Sequence, residues 1–159
     1  MSMISCENIH FVPGFKSADH TAGIDSTSIN MGKVSRAILA IQLGDMSVAS
    51  PEVIAYSGAT SGTKTTALAF RYKLSPQPAA TAGSDIWTAG YTTVVAADGL
   101  TVVFDTDDNK LLLIEVDCEE MTEGEPWLTI NLDADATISQ AAAVWICEAR
   151  YDQTVTVLT

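Results

Sequence analysis

Short runs of β-forming residues recur along most of this chain, and turn residues separate them. Several runs alternate between apolar and polar positions, which is the period of a half-buried strand rather than of a helix. Only the segment Asp117–Gly124 fits a helical turn, with Asp117 as its N-cap and Gly124 as its stop. Because no strand–helix–strand rhythm appears, the pattern predicts an all-β fold, either an antiparallel β-sandwich or a jelly-roll-like arrangement.

The sequence predicts eight or nine strands, with bounds set by turn residues. They are Ala37–Leu43, Val53–Tyr56, Thr66–Lys73, Trp87–Ala96, Leu100–Phe104, Lys110–Asp117, Trp127–Asp133, Ile138–Tyr151 and Thr154–Leu158. The Ala37–Leu43 run is almost entirely apolar, which predicts a strand buried on both faces. Asp98-Gly99 is a hairpin signal, so the strands on either side of it are expected to pair. In Ile138–Tyr151 the alanines favour a helix and the β-branched and aromatic residues favour a strand, and we predict a strand.

Residues 1–35 differ from the rest, because they are polar and rich in turn residues except for the apolar segment Ile9–Phe15. We interpret this region as an extended N-terminal arm and lead-in, followed by a single β-sandwich domain at residues 36–159. The arm must lie against something, either its own domain or a neighbouring molecule. The candidate partner-binding residues are Ile9, Phe11, Val12 and Phe15 of the arm, and Trp127, which lies opposite the predicted inward face of its strand.

Charge is distributed unevenly along the chain. There are 20 acidic and 8 basic residues, for a net charge of −12. Eleven of the acidic residues lie in the segment 105–135, where Lys110 is the single base, so that segment carries −10. Nucleic-acid backbones and anionic membranes are bound by clusters of Lys and Arg, so neither is an expected partner.

The segment Asp105–Asn109 is the clearest candidate for a metal site, because calcium prefers several oxygen ligands from one loop. The EF-hand spacing fails at its most discriminating positions, where Lys110 replaces glycine and Val116 replaces glutamate. Asp and Asn also favour tight turns, so the alternatives are a turn or a weak cation site, to which Asp133 and Asp135 would add carboxylates. We predict a turn and no metal site.

Neither histidine, His10 or His20, lies near a recognisable nucleophile motif, so the sequence predicts no enzyme and no cofactor. The three cysteines form no C-x-x-C pair, which is typical of reduced, intracellular synthesis rather than of a disulfide framework. The start MSMISCENIH lacks the basic and apolar regions of a signal peptide, and no apolar run approaches the ~18 residues of a membrane helix. An exposed Trp87 or Trp127 would suit sugar stacking, so a carbohydrate-binding module is the alternative function.

Several segments resemble small virion proteins of tailed bacteriophages. They are Gly23–Met31, Ala37–Leu43, Val53–Thr60 continuing to Phe70–Tyr72, Ile114–Asp117 with Gly124–Leu128, and Val144–Tyr151. Together they span most of the chain, and they are patterns of strands and turns rather than chemical motifs.

The resemblance implies a capsid decoration (cement) protein with a β-sandwich fold and no catalytic residues. Such a protein binds the major capsid protein on the surface of the assembled head and stabilises it, often as a homotrimer. The implied location is the virion, after synthesis in the host cytoplasm. Other virion roles, as a tail or head–tail connector component, fit the same pattern.

Overall fold

The structure is a computed structural model that describes residues 9–45, 50–83, 85–87, 90–96, 98–102, 106–134 and 140–150. Within these residues twelve strands and one short 3-10 helix are formed. They are β1 (Ile9–Asp19), β2 (Ile24–Asp25), β3 (Ile29–Asn30), β4 (Val34–Leu43), β5 (Glu52–Gly58), β6 (Thr66–Leu68), β7 (Phe70–Leu74), β8 (Thr92–Val94), β9 (Leu100–Thr101), β10 (Leu111–Asp117), the 3-10 helix (Cys118–Glu120), β11 (Trp127–Leu132) and β12 (Gln140–Ala149).

The strands form two antiparallel sheets that enclose one core. The first sheet has the order β1-β12-β4-β10-β7-β8, and the second has the order β2-β11-β5-β6, with β3 also paired to β11 and β9 to β5. Fully buried side chains from the first sheet (Leu39, Trp145) and the second (Leu128, Ile130) belong to the same cluster. The predicted all-β, antiparallel sandwich is therefore confirmed.

The last long strands agree closely with the sequence pattern. In β10 the alternating residues Leu112, Ile114 and Val116 are buried, and the same holds for Leu128, Ile130 and Leu132 of β11. The segment that was open to helix or strand forms β12, because it pairs along most of its length with β4. The predicted turn after β10 is the 3-10 helix, where the Asp117 backbone N–H donates to Glu120 Oε2 at 2.7 Å. The predicted strand Thr154–Leu158 lies outside the described residues.

Burial on both faces is the wrong prediction for Ala37–Leu43. In β4 the buried residues alternate with half-exposed Ile38 and Ala40 and with exposed Arg36 and Gln42. The reason is that the second sheet packs against only one face of the first sheet. The apolar side chains on the opposite face therefore remain partly open to solvent, and this outer face carries the candidate site.

The segment Thr66–Lys73 is two strands rather than one. Its first part, β6, pairs with β5 in the second sheet, whereas β7 pairs with β10 in the first sheet. The chain passes between the sheets at Ala69, and Leu68 and Phe70 on either side of it are both buried. The alternation survives this crossing because both strands face the same core.

The hairpin predicted at Asp98-Gly99 does not form among the described residues. There, only Thr92–Val94 of the first predicted strand is β-structure, and β8 pairs with β7, whereas β9 pairs with β5. Gly99 has the positive φ of +59° that the turn signal implied. The turn joins the two sheets instead of two neighbouring strands, because Val94 and Val102 enter the core from opposite sheets.

The region before residue 36 lies against its own domain, which answers the alternative that the sequence left open. β1 is an edge strand of the first sheet and pairs with β12 from Ile9 to Asp19. β2 and β3 pair with β11 in the second sheet. Phe15, Ile29 and Met31 are part of the buried core. Residues 1–8 lie outside the described part of the chain.

Candidate functional site

The outer face of the first sheet brings residues from five strands into cross-strand rows. Phe11, Ile146, Ile38, Glu115 and Arg71 are successive register partners across β1, β12, β4, β10 and β7. Side chains alternate along a strand, and the residues next to these in β1, β12 and β4 face the core. The row therefore points away from the core and changes from apolar to charged as it crosses the sheet.

The adjacent row repeats this change. Pro13, Val144, Ala40, Leu113 and Lys73 are successive partners across the same five strands. We call the apolar part of the two rows the apolar face; it consists of Phe11, Pro13, Ile38, Ala40, Leu113, Val144 and Ile146. Its exposed members are Pro13, Phe11, at 59% exposure, and Val144, at 38%. Exposed apolar side chains that share one face mark an interaction site more strongly than scattered ones do.

The five predicted partner-binding residues do not form one site. Phe11 and Ile9 lie on the outward side of β1, whereas Val12 points inward opposite Trp145 and packs against the core. Phe15 is 7% exposed and meets the His20 ring edge-on at 5.3 Å between ring centroids.

Phe15 therefore lies in the core rather than on the surface, because the register of β1 shifts on either side of it and turns its ring inward. Trp127 is half-buried at the start of β11, in the other sheet. Of the five residues, Phe11 and Ile9 lie on the outer face, which they share with Val144 and Ile146 of β12.

An ion-pair network occupies the charged part of the outer face. The Arg71 guanidinium contacts Glu115 at 3.3 Å, Asp117 at 2.6 Å and Glu120 at 3.3 Å. Arg36 pairs with the other Asp117 oxygen at 3.1 Å. Burial alone would raise the pKa of Asp117, but the hydrogen bonds and charges of the two arginines outweigh burial and leave that pKa below its usual range. Part of the acidic segment is thus neutralised by arginines far away in sequence.

An aromatic pair encloses Lys73 beside this network. Lys73 Nζ lies 5.4 Å from the ring centroid of Trp87 and 5.9 Å from that of Tyr91. Burial raises the pKa of Tyr91, and the Glu115 carboxylate, to which its hydroxyl bonds, raises it further. Trp87 was a candidate from the sequence, but Lys73 was not, because nothing in the local sequence connects residue 73 to residue 87.

The two histidines lie at opposite ends of β1. His10 lies within the strand, opposite Cys147 of β12. His20 follows the strand and is buried, with Nε2 at 3.0 Å from the Lys16 carbonyl oxygen and 3.2 Å from that of Ala141. The contact of His20 with Ala141 attaches the residue after β1 to β12. Within β12, burial raises the pKa of the Cys147 thiol to about 12.

The acidic turn is described from residue 106 onward, and both Asp105 and Asp135 lie outside the described residues. Asp107 is buried and pairs with Lys110 Nζ at 3.3 Å. Asn109 has a positive φ of +58°, a conformation that asparagine adopts in tight turns. Across the described ranges, no three His, Cys, Asp or Glu side chains are grouped so that they would hold a metal ion.

In the part of the chain that the structure describes, no helix has the length and apolar character needed to cross a membrane. Comparisons with protein-family models, with curated proteins and with solved structures find no match to this chain.

Proposed function

We propose that this chain is a structural protein of a bacteriophage virion, a decoration (cement) protein that binds the major capsid protein on the assembled head. The observation that carries the proposal is the apolar face on β1, β12 and β4, where Phe11 and Val144 are exposed. The resemblance of several strand and turn segments to small virion proteins supports the same role. Burial of this apolar face against a rigid capsid lattice would stabilise the complex, because the hydrophobic effect requires no particular orientation of the contacting groups.

The edge of the first sheet offers a second mode of attachment. β12 occupies one side of β1, and no other strand within the described residues pairs with its opposite side. The register is regular over residues 9–13 and shifts after Pro13, and because Pro13 has no backbone N–H, residues 9–12 are the part of the edge that offers regular hydrogen bonds. An extended segment of a coat subunit would add to this part of the edge through backbone hydrogen bonds. The same four residues include Phe11, so both modes use one end of β1.

A homotrimer on the capsid surface fits the repetition of the lattice. Each copy contributes a modest contact, and several copies held together gain avidity from multivalency. Two of the acidic residues beside the apolar face, Glu115 and Asp117, are paired with Arg71 and Arg36, which lowers the net charge there. The expected mass in solution is that of three chains.

The test is co-sedimentation of the purified protein with empty capsids assembled from the major capsid protein encoded in the same genome. Point variants are sharper than deletion of the arm, because β1 also carries Phe15 into the core. Phe11→Ser and Val144→Thr should each weaken binding about tenfold, the effect of losing a buried apolar side chain. Val95→Thr is the matched control, since Val95 is 56% exposed but lies outside the apolar face.

Failure of the wild-type protein to bind capsids would refute the decoration role, and binding to purified tails instead would favour a tail component. Equal binding by Val144→Thr and Val95→Thr would remove the apolar face from the proposal. Sedimentation equilibrium tests the trimer separately, and a monomer at micromolar concentration would contradict it.

A further inference from the structure

Lys73 is unusual among the basic residues of this acidic chain. Arg36, Lys64, Arg71 and Lys110 all have a carboxylate partner within 3.3 Å. Among the residues that the structure describes, no carboxylate pairs with Lys73, and the groups near its ammonium are the rings of Trp87 and Tyr91. Its ammonium group therefore keeps its capacity to bind an anion.

A cavity opens beside this ammonium group. The pairing of β7 with β8 ends at Tyr72 and Thr92, so Lys73 and Leu74 extend beyond the neighbouring strand. The space that this stagger leaves is about 220 Å³ and is lined by Lys73, Leu74, Pro76, Trp87 and Thr92, among others. Pockets that enclose drug-sized ligands are roughly 300–1,000 Å³, so this one suits a single small ring.

The lining combines three kinds of contact. Trp87 offers an aromatic face, Lys73 a single positive charge, and Thr92 a hydroxyl on an exposed residue. The C–H groups of a pyranose ring carry a slight positive charge and are attracted to an aromatic face, whose centre is negative. The Thr92 hydroxyl lies where it can hydrogen-bond a sugar hydroxyl.

The single positive charge of Lys73 is balanced by a ligand that carries one negative charge. A carboxylate carries a single charge and forms a charge-assisted hydrogen bond with an ammonium group. We propose that the cavity beside Lys73 binds a carboxylate-bearing saccharide of the uronic-acid type. This site does not depend on the virion role, because none of the residues that line the cavity belongs to the apolar face.

The test uses a pair of ligands that differ at one carbon. Methyl β-D-glucuronide carries a carboxylate where methyl β-D-glucoside carries a hydroxymethyl group. Each is titrated into the full-length ¹⁵N-labelled protein, and the indole N–H signal of Trp87, assigned with Trp87→Phe, reports binding. The glucuronide should shift this signal saturably and bind about tenfold more tightly than the glucoside, the effect of one charge-assisted hydrogen bond.

Three variants separate a specific site from general attraction of an anion. Lys73→Gln should weaken glucuronide binding about tenfold, and Lys73→Arg should retain most of it because the charge stays. Lys16→Gln is the matched control, since it removes the same charge from an exposed position on β1. Equal affinity for the two sugars, equal effects of Lys73→Gln and Lys16→Gln, or no shift of the Trp87 signal would each overturn the proposal.

Discussion

The indole Nε1 of Trp145 donates a hydrogen bond of 2.8 Å to the backbone carbonyl oxygen of Thr27. Trp145 lies in β12 of the first sheet and is fully buried, whereas Thr27 lies between β2 and β3 of the second sheet. The backbone N–H of Thr27 in turn donates to the carbonyl oxygen of Gly14 in β1 at 2.9 Å. The Trp145 side chain therefore joins the first sheet to the segment between β2 and β3, and the backbone of Thr27 joins that segment to β1.

Replacing Trp145 by Phe should destabilise the fold by about 2–4 kcal/mol. The substitution leaves the Thr27 carbonyl oxygen without its side-chain donor and opens a void in a closely packed core. Urea unfolding followed by far-UV circular dichroism measures the loss. Trp127→Phe is the control, because Trp127 is only half-buried and should lose less. Equal losses for the two variants would contradict the assignment of Trp145 as the connecting residue.

Stability should depend on pH through Asp117. Its pKa is lowered in the folded state by Arg71 and Arg36, so its contribution is complete above the ordinary value of 3.8 and is lost as the pH falls through the lowered pKa. We expect wild type to exceed Asp117→Asn by about 1 kcal/mol in unfolding free energy at pH 6, and by much less near pH 3.

Urea unfolding at the two pH values measures this difference. Glu123→Gln serves as the control, because Glu123 is exposed and should show no comparable change between the two pH values. A constant difference between wild type and Asp117→Asn at both pH values would show that the ion-pair network does not form in solution.

The two described cysteines should differ in reactivity. Cys147 is fully buried, and burial raises its pKa to about 12, so almost no thiolate is present at pH 8. Cys118 is half-buried, with Sγ 2.9 Å from Arg150 Nη2. Iodoacetamide should modify Cys118 in the native protein and Cys147 only after unfolding, as peptide mass spectrometry would show. Native labelling of Cys147 at the rate of Cys118 would mean that β12 opens readily.

Substitution of Gly58 should disturb the β5–β6 connection. A Cβ atom at this position would overlap the carbonyl oxygen of Thr63, because the turn folds back over the end of β5. We expect Gly58→Ala to cost about 1–3 kcal/mol in a thermal or urea melt. Gly90→Ala is the control, since no atom lies within 4 Å of its added Cβ. If both variants melt like wild type, the close approach of the turn does not exist in solution.

The strands that the sequence predicts best are those that bury one face, because apolar and polar residues alternate along them. β10, β11 and β12 were predicted closely because each has one core-facing row of apolar residues. The crossing at Ala69 was missed because alternation continues through it, and periodicity carries no information about which sheet a strand joins. Pairing of β8 and β9 was missed for the same reason, since a turn signal does not identify the partner of either strand.

The candidate surfaces were only partly predictable. Phe11 and Trp87 were identified from their residue types, but their neighbours Val144 and Lys73 come from other parts of the chain. Those neighbours depend on strand register, which follows from packing across the whole sheet. The burial of Phe15 was not predicted, because it follows from a shift in register that no local pattern indicates.

The division of the outer face into an apolar side and a charged side gives the two proposed contacts opposite responses to salt. At 0.15 M ionic strength the screening length is about 8 Å, so contacts that depend on the charge of the half-buried Lys73 weaken as salt is added. Burial of Phe11 and Val144 does not weaken with screening, and salts such as sulfate strengthen it. Raising the sulfate concentration should therefore dissociate a bound uronic acid while the protein remains attached to its lattice.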